Sequence, residues 1–266
     1  MSVHEEIREQ QKKLKGQGFK AHWEYFWEYY KIHTIVAICV IIFLVTLIRD
    51  ISSSKPYGFY AVAINSASSA AQDILEKEFV EYSAFDTTDY DCMIDTSQSY
   101  NLHLIDEVTI ATSQKIMANM AASELDVMIA DSEIFTHYAN QETFMDLRTV
   151  LSASELESLK DRLFYVDQGY LDFLNTDEYQ NYVSTGEFDP SNEYAVMADA
   201  YNKDFILPNT DPEKMQSPVP VGIKVEDSAA LERAGAYIGS TPIAGLAINT
   251  TRPEMSVQFL HYLLGE

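Results

Sequence analysis

The sequence predicts a single N-terminal transmembrane helix followed by an α/β domain with a doubly wound, mostly parallel sheet. Three observations support this fold class. An uncharged apolar run extends from Ile32 to Ile48. After it, short β-rich runs alternate with segments of helical periodicity. Apolar residues make up 47% of the 266 residues, which is enough for a buried core.

The apolar run predicts a lipid-embedded helix at residues 32–49, because seventeen helical residues span about 26 Å, close to the thickness of a bilayer core. Lys31 and Arg49 can extend to the two membrane surfaces. An aromatic belt precedes the run: Trp23, Tyr25, Phe26, Trp27, Tyr29 and Tyr30. A buried helix of a soluble protein is the alternative.

Lysines are concentrated before the span, so residues 1–31 are predicted to be cytoplasmic, 50–57 a tether, and 58–266 an extracytoplasmic domain. A cleaved signal peptide is less favoured, because no A-x-A site follows the apolar run, and we expect an uncleaved signal-anchor. Cys39 lacks the small preceding residue of a lipoprotein signal.

The formal net charge is −23, and residues 51–266 alone carry eleven basic and thirty-five acidic side chains. Such a domain is a poor partner for nucleic acid, which requires a clustered basic surface. Outside the cell, the same charge would keep the domain away from anionic lipid.

The first half of the domain alternates predicted strands with predicted helices. Strands are expected at Gly58–Ile64, Cys92–Ile94 and Leu125–Ala130. Helices are expected after Ser69, over Asp106–Ala122, and after a cap at Asp131 and Ser132. This alternation is typical of a parallel, doubly wound sheet.

The second half is less regular. A helix capped by Ser152 and Glu155, or by Ser154 and Glu157, follows the apolar segment Phe144–Leu151. The 54 residues of Phe164–Ser217 lose periodicity and are expected to form mixed short strands and loops. Strands are expected again at Val219–Val225 and Pro242–Ile248, and a final helix opens with a predicted capping box from Thr251 to Glu254.

Three stretches resemble a known family: Leu125–Leu151, Val219–Pro242 and Ile243–Leu264. They are similar to the extracellular solute-binding proteins of bacterial ABC importers, which have the type 2 periplasmic-binding-protein fold. The resemblance implies one lobe of that fold, with a ligand crevice at the strand ends and a returning strand followed by a helix of the same lobe. It also implies an extracellular domain on the cell membrane of a Gram-positive bacterium.

Two features depart from that family. The 54 residues available for a second lobe are too few for a separate α/β core, so the second lobe is expected to be reduced or absent. A transmembrane helix replaces the usual lipid anchor.

Ligands of doubly wound sheets bind beyond the carboxyl ends of the strands, where helix starts converge. The candidate ligand-binding residues there are Asn65, Ser66, Asp95, Ser97, Asp131 and Ser132. Helix caps and turn formers are the alternative for the same residues. Tyrosines of the irregular stretch could stack on flat ligands or pack a small subdomain: Tyr165, Tyr170, Tyr179, Tyr182 and Tyr194.

No motif for chemistry is present in the sequence. It contains no nucleophile elbow, phosphate-binding loop or zinc signature, and the acidic runs Asp86–Asp91 and Asp172–Glu178 lack calcium-loop spacing. We therefore expect no enzyme, cofactor or metal site. The expected function is a membrane-anchored solute-binding-like module, accessory to an ABC-type transporter or another membrane complex. The alternative is an adaptor that keeps the fold and binds a protein partner but no small ligand.

Overall fold

A computed structural model describes residues 18–53, 55–68 and 70–266. Most of the predicted cytoplasmic segment, and Ser69, lie outside the described residues. The chain divides after Lys55 into two compact units, an N-terminal helix and the domain Pro56–Glu266.

Helix α1 covers Phe19–Ser53 and therefore continues through the first residues of the predicted tether. Within the described residues, Tyr30–Arg49 is the one helical stretch long and apolar enough to cross a bilayer, with 20 residues and a mean hydropathy of 2.5. None of this stretch is buried, in contrast to the core helix of a soluble protein. Its length and composition are compatible with a membrane anchor or a signal sequence.

The domain is built on one open six-stranded sheet with the order β2-β1-β3-β6-β5-β4. Its strands are β1 (Tyr57–Ala63), β2 (Asp91–Asp95), β3 (Val127–Asp131), β4 (Leu163–Asp167), β5 (Pro218–Lys224) and β6 (Pro242–Leu246). Strand β1 pairs in parallel with β2 and β3, with Ala61 opposite Val127. The other three pairings are antiparallel. Four strands thus run one way, as a mostly parallel sheet requires, while β4 and β6 run the other way.

Helices cover both faces of the sheet. They are α2 (Ala71–Ser83), α3 (Glu107–Ala121), α4 (Ser132–Ala139), α5 (Ala153–Ser158), α6 (Gln168–Leu174), α7 (Asp177–Thr185), α8 (Glu193–Asp204), α9 (Ala229–Ala234) and α10 (Pro253–Leu264). Phe59 and Ala61 point into a first core with α2, α9 and α10. Tyr60 and Val62 point into a second core with α3, α4, α6 and α8. The predicted double winding is therefore confirmed.

Two glycines bring helix α4 close to the sheet. A Cβ atom on Gly222 of β5 would lie 2.6 Å from the ring of Phe135, and one on Gly245 of β6 would lie 2.7 Å from it. The ring of Phe135 therefore rests directly on the two strands. It also stacks on Phe144 with ring centroids 4.1 Å apart, which anchors the segment after α4.

The prediction of short strands and loops for Phe164–Ser217 is wrong for most of that stretch. Beyond β4 it forms three helices, α6, α7 and α8, whose N-caps are Asp167, Thr176 and Asn192. Buried residues of α6 and α8 join the second core. The stretch therefore extends the single domain rather than forming a separate lobe.

The predicted capping box is confirmed at helix α5 but is wrong at helix α10. Ser152 and Glu155 form the predicted reciprocal capping box of α5. The predicted box from Thr251 to Glu254 is wrong, because α10 begins at Pro253 after an N-cap, Arg252, that makes no side-chain cap. The side chain of Arg252 is bound elsewhere.

Arg252 forms a buried ion pair with Asp126, the residue just before β3. Asp126 is 0% exposed, and its carboxylate accepts from Arg252 Nε at 2.8 Å, from Thr250 Oγ1 at 2.5 Å and from Tyr60 N at 2.8 Å. The same guanidinium donates to the carbonyls of Tyr57 and Glu124. A fully buried carboxylate needs such partners, so this network ties β1, β3 and the start of α10 together.

We predict that Arg252→Met lowers the free energy of unfolding by about 3 kcal/mol, because it leaves the Asp126 carboxylate buried without its cation. The double variant Asp126→Asn/Arg252→Met should recover part of this loss, since it removes the uncompensated charge. Denaturant unfolding of the full chain in detergent measures both.

The matched control is Arg162→Met, which removes the exposed ion pair between Arg162 and Asp227 at 3.4 Å and should change stability by less than about 1 kcal/mol. An Arg252→Met variant as stable as this control would contradict the assigned role of the buried pair.

Candidate functional site

The carboxyl ends of β1, β2 and β3 lie along one edge of the sheet, here called the carboxyl edge. All six predicted ligand-binding residues follow or end these strands, so the structure places them along this edge. What they can bind depends on which of their polar atoms already have partners.

Asp95, at the end of β2, is buried, and its carboxylate accepts several hydrogen bonds. Its carboxylate accepts from Lys115 Nζ at 2.6 Å, from Gln98 Nε2 at 2.7 Å, and from both the backbone N and Oγ of Ser97 at 2.9 and 2.6 Å. Burial opposes ionisation, but the hydrogen bonds from Lys115 and Ser97 outweigh it and hold the pKa of Asp95 below its usual value. Asp95 and Ser97 therefore form an internally satisfied turn.

Asn65 and Ser66, after β1, are also engaged in the fold. Asn65 adopts the left-handed conformation with φ 59°, which asparagine tolerates. Its side chain donates to Tyr100 O at 2.8 Å and accepts from Tyr100 N at 2.9 Å. Ser66 Oγ donates to the carbonyl of Ser68 at 3.3 Å. Asn65 thus anchors the loop between β2 and α3.

Asp131 and Ser132, at the end of β3, start helix α4. The Asp131 carboxylate accepts from the backbone N–H groups of Glu133 at 3.1 Å and Ile134 at 3.0 Å, as an N-cap does. The carbonyl of Ser132 accepts from Thr136 Oγ1. The carboxyl edge is therefore rich in caps and turns, and binding of a solute by these six residues stays a prediction.

Tyr237, in the loop after α9, covers the ends of β1 and β3. Its hydroxyl donates to Ile64 O at 2.7 Å and lies 3.0 Å from Ile129 O. Burial raises the pKa of Tyr237 well above its usual value, with a further contribution from Asp131, so the hydroxyl keeps its proton. The Tyr237 hydroxyl therefore links the backbones of β3 and of the residue that follows β1.

An aromatic group around His137 lies next to Asn65 and was not predicted from the sequence. His137 Nε2 lies 3.4 Å from Tyr100 OH and 3.0 Å from Gln141 Nε2, and His137 Nδ1 lies 3.3 Å from Tyr201 OH. Burial lowers the pKa of His137, so the imidazole is neutral at physiological pH. These residues come from three separate segments of the chain, so no spacing in the sequence predicts their contact.

Four exposed apolar side chains lie in two short segments, one next to His103 in sequence and one at the end of α8, the helix that carries Tyr201. We call them the edge patch: Leu104, Ile105, Phe205 and Ile206, which are 58, 79, 40 and 58% exposed. His103, which precedes Leu104 in the sequence, links Leu104 and Ile105 to Phe205 and Ile206. The centroid of its ring lies 4.5 Å from that of Phe205. His103 also contacts Glu133 Oε1 at 2.6 Å. A cluster of large exposed apolar residues is typical of an interaction surface.

Phe205 of the edge patch has an unfavourable backbone conformation. Phe205 caps α8 with φ 53°, a left-handed geometry that favours glycine and is unusual for a bulky residue. Strain of this kind occurs where the surrounding structure imposes it, often at functional sites. Acidic residues adjoin the patch in sequence at Asp106, Glu107 and Asp204.

Most of the tyrosines that were predicted to stack on a ligand instead pack among the helices of the second core. Tyr170 and Tyr182 are buried, Tyr182 OH donates to Asp199, and Tyr194 OH donates to Asp167 at 3.2 Å. Burial and the neighbouring Asp167 raise the pKa of Tyr194 to about 12. Their arrangement is that of a packed subdomain.

No protein-family model matches the chain, and no curated protein matches it. Across residues 18–53, 55–68 and 70–266, no group of three or more His, Cys, Asp or Glu side chains is placed to hold a metal ion. The geometry of the edge patch is therefore the main guide to function.

We predict that Lys115→Met raises the pKa of Asp95, because burial then acts without the opposing ammonium. In the unchanged protein the depressed pKa contributes stability above the ordinary aspartate pKa of about 4, and this stability is lost as the pH falls through the folded-state value. Carbon-13 NMR titration of the carboxyl carbon measures the shift. Lys160→Met, which alters an exposed pair with Glu157, is the control and should leave the titration unchanged; an unchanged Asp95 in Lys115→Met would contradict the prediction.

Proposed function

We propose that this chain is a non-catalytic, membrane-anchored interaction module with a solute-binding-protein-like lobe, and that it docks a membrane-protein partner through the edge patch. The observation that carries the proposal is the exposure of Leu104, Ile105, Phe205 and Ile206. They lie beside a carboxyl edge whose own polar side chains are taken up by caps and turns.

The sheet topology supports a lobe of the type 2 periplasmic-binding-protein kind. The resemblance implies a returning strand followed by a helix of the same lobe. Strand β6 returns beside β3, with Met128 opposite Gly245, and α10 then packs into the first core. The reduction of the second lobe is supported by the merging of α6 and α8 into the second core.

A protein partner has more support than a small solute at the carboxyl edge. Solute-binding proteins enclose their ligands between two lobes, whereas Pro56–Glu266 forms one compact unit. Tyr237 covers the ends of β1 and β3, where a crevice would lie. An exposed apolar patch instead suits the core of a protein interface.

The charge of the domain indicates the chemistry of the partner. Acidic residues adjoin the patch, and residues 51–266 carry a large negative excess. A complementary surface would present apolar side chains flanked by lysine or arginine. An anchor at Tyr30–Arg49 would confine both proteins to the membrane plane and raise their effective concentration, as expected for an accessory subunit of an ABC-type transporter or another membrane complex.

We predict that a photo-crosslinking phenylalanine analogue at position 105 joins the chain to one membrane protein in cells that express it naturally. The same analogue at Val183, an exposed apolar site on α7, should give no such product. Adding Phe205→Gly should abolish the product at position 105. Because glycine suits the left-handed backbone, this change should alter stability by no more than about 1 kcal/mol.

Equal cross-linking from positions 105 and 183 would contradict docking at the edge patch. A solute that raises the melting temperature of the unchanged protein, but not of Ser132→Trp, would favour a small-ligand receptor at the carboxyl edge.

We also propose that the N-terminus is cytoplasmic and the domain extracellular, on the support of the lysines before the span. With Cys39 replaced by alanine, a membrane-impermeant maleimide should label Glu187→Cys in intact cells, and Gln10→Cys only after permeabilisation. The native Cys92 should add little background, because burial raises the pKa of its thiol to about 12 and leaves almost no thiolate. Labelling of Gln10→Cys alone in intact cells would reverse the orientation.

A further inference from the structure

A groove of about 600 Å³ opens at the edge of the sheet opposite the carboxyl edge. It arises because β5 pairs with β6 only near the end of β5, through Ile223 with Ala244 and Lys224 with Ile243. Towards its start, β5 has no pairing with β6. The segment from Thr143 to Met145 pairs with β6 there instead. We call this opening the β5 groove.

Most residues that line the β5 groove are apolar. Phe144, Val166, Leu171, Val219, Val221 and Ile248 line it. Pro218 and Pro220 lie in the same part of β5, which pairs there with β4 but not with β6, and neither has an N–H group that would need a partner. The volume lies within the range of small-molecule sites, and an apolar wall with a few polar groups is typical of them.

The charged groups of the groove leave one unbalanced carboxylate. Arg148 is held by Asp146 in a forked pair, with Arg148 Nε 2.9 and 3.0 Å from the two Asp146 oxygens and Nη2 2.7 Å from one of them. These two charges neutralise each other. The remaining charged side chain of the lining is Glu142, whose carboxylate accepts from the neutral amide of Asn175 at 2.7 Å.

Glu142 also has an unusual backbone. It follows α4 with φ 54°, a left-handed position in which glycine or asparagine is favoured. Its backbone N–H donates at 3.0 Å to the carbonyl of Ala139, the last residue of α4. A glutamate at such a position places a carboxylate at the rim of the groove at some conformational cost.

We propose that the β5 groove binds a small organic cation, an amine with an apolar body, whose ammonium pairs with Glu142 while its body rests on Val219, Val221 and Ile248. An anion would meet an excess of negative charge. A neutral molecule would gain the apolar contact but leave Glu142 without a cation. The groove lies at the opposite end of the strands from the edge patch, so this site is separate from the proposed protein-docking surface.

The test compares three probes with the same phenyl body: phenethylamine, 2-phenylethanol and 3-phenylpropionate. Isothermal titration with the full chain in nanodiscs should show binding of the amine several-fold tighter than that of the alcohol, and no binding of the acid. Glu142→Gln should weaken amine binding about fivefold, as expected for one partly exposed charge pair, and leave alcohol binding unchanged. Val219→Trp should fill the groove and abolish binding of both.

Glu226→Gln, at an exposed acid outside the groove lining, is the matched control and should bind the amine as the unchanged protein does. Circular dichroism melts of each variant check that it is folded, and Glu142→Gly provides a second way to remove the carboxylate while relieving the backbone. Equal affinity for the three probes, absence of amine binding, or unchanged amine binding in both Glu142 variants would overturn the proposal.

Discussion

The buried ion pair between Asp126 and Arg252 is the constraint on which the domain depends. A carboxylate without solvent contact must be matched, and its partners come from parts of the chain more than a hundred residues apart. Asp126 precedes β3, Tyr60 belongs to β1, and Arg252 lies between β6 and α10. Meeting this electrostatic requirement therefore holds the returning C-terminal segment against the first strands. Strand β6 pairs with β3 beside this network, and α10 completes the first core.

The return of β6 gives the two edges of the sheet different properties. At the carboxyl edge, the carboxylates of Asp95 and Asp131 accept hydrogen bonds from backbone N–H groups of the turns that follow them. The hydroxyl of Tyr237 donates to the carbonyl of Ile64, just after β1. Few polar groups therefore remain for a solute. The exposed groups there are apolar. At the opposite edge, β6 pairs with the segment after α4 as well as with β5, and β5 diverges. An apolar opening remains between them, with the carboxylate of Glu142 at its rim.

Local signals in the sequence predicted the elements whose cause is local. The capping box of Ser152 and Glu155 and the cap at Asp131 are contacts within three residues, so the sequence contains both partners together. The same signals exist at Thr176 and Asn192, but the segments that follow them are polar on average, so the sequence pattern did not predict helices there. At Thr251 the local signal was misleading, because Arg252 is drawn to Asp126 by a contact that no local pattern records.

By itself, the sequence determined the apolar helix, the acidic domain, the alternation of strands and helices, and the side chains that end β1, β2 and β3. These follow from composition, periodicity and contacts between near neighbours. Only the tertiary structure decided that α6 and α8 join the second core, that His137 meets Tyr100 and Tyr201, and that Phe205 lies against His103. It also decided that Glu142 borders a groove. Each of these depends on the packing of segments distant in the chain, where burial and charge are settled by the whole fold.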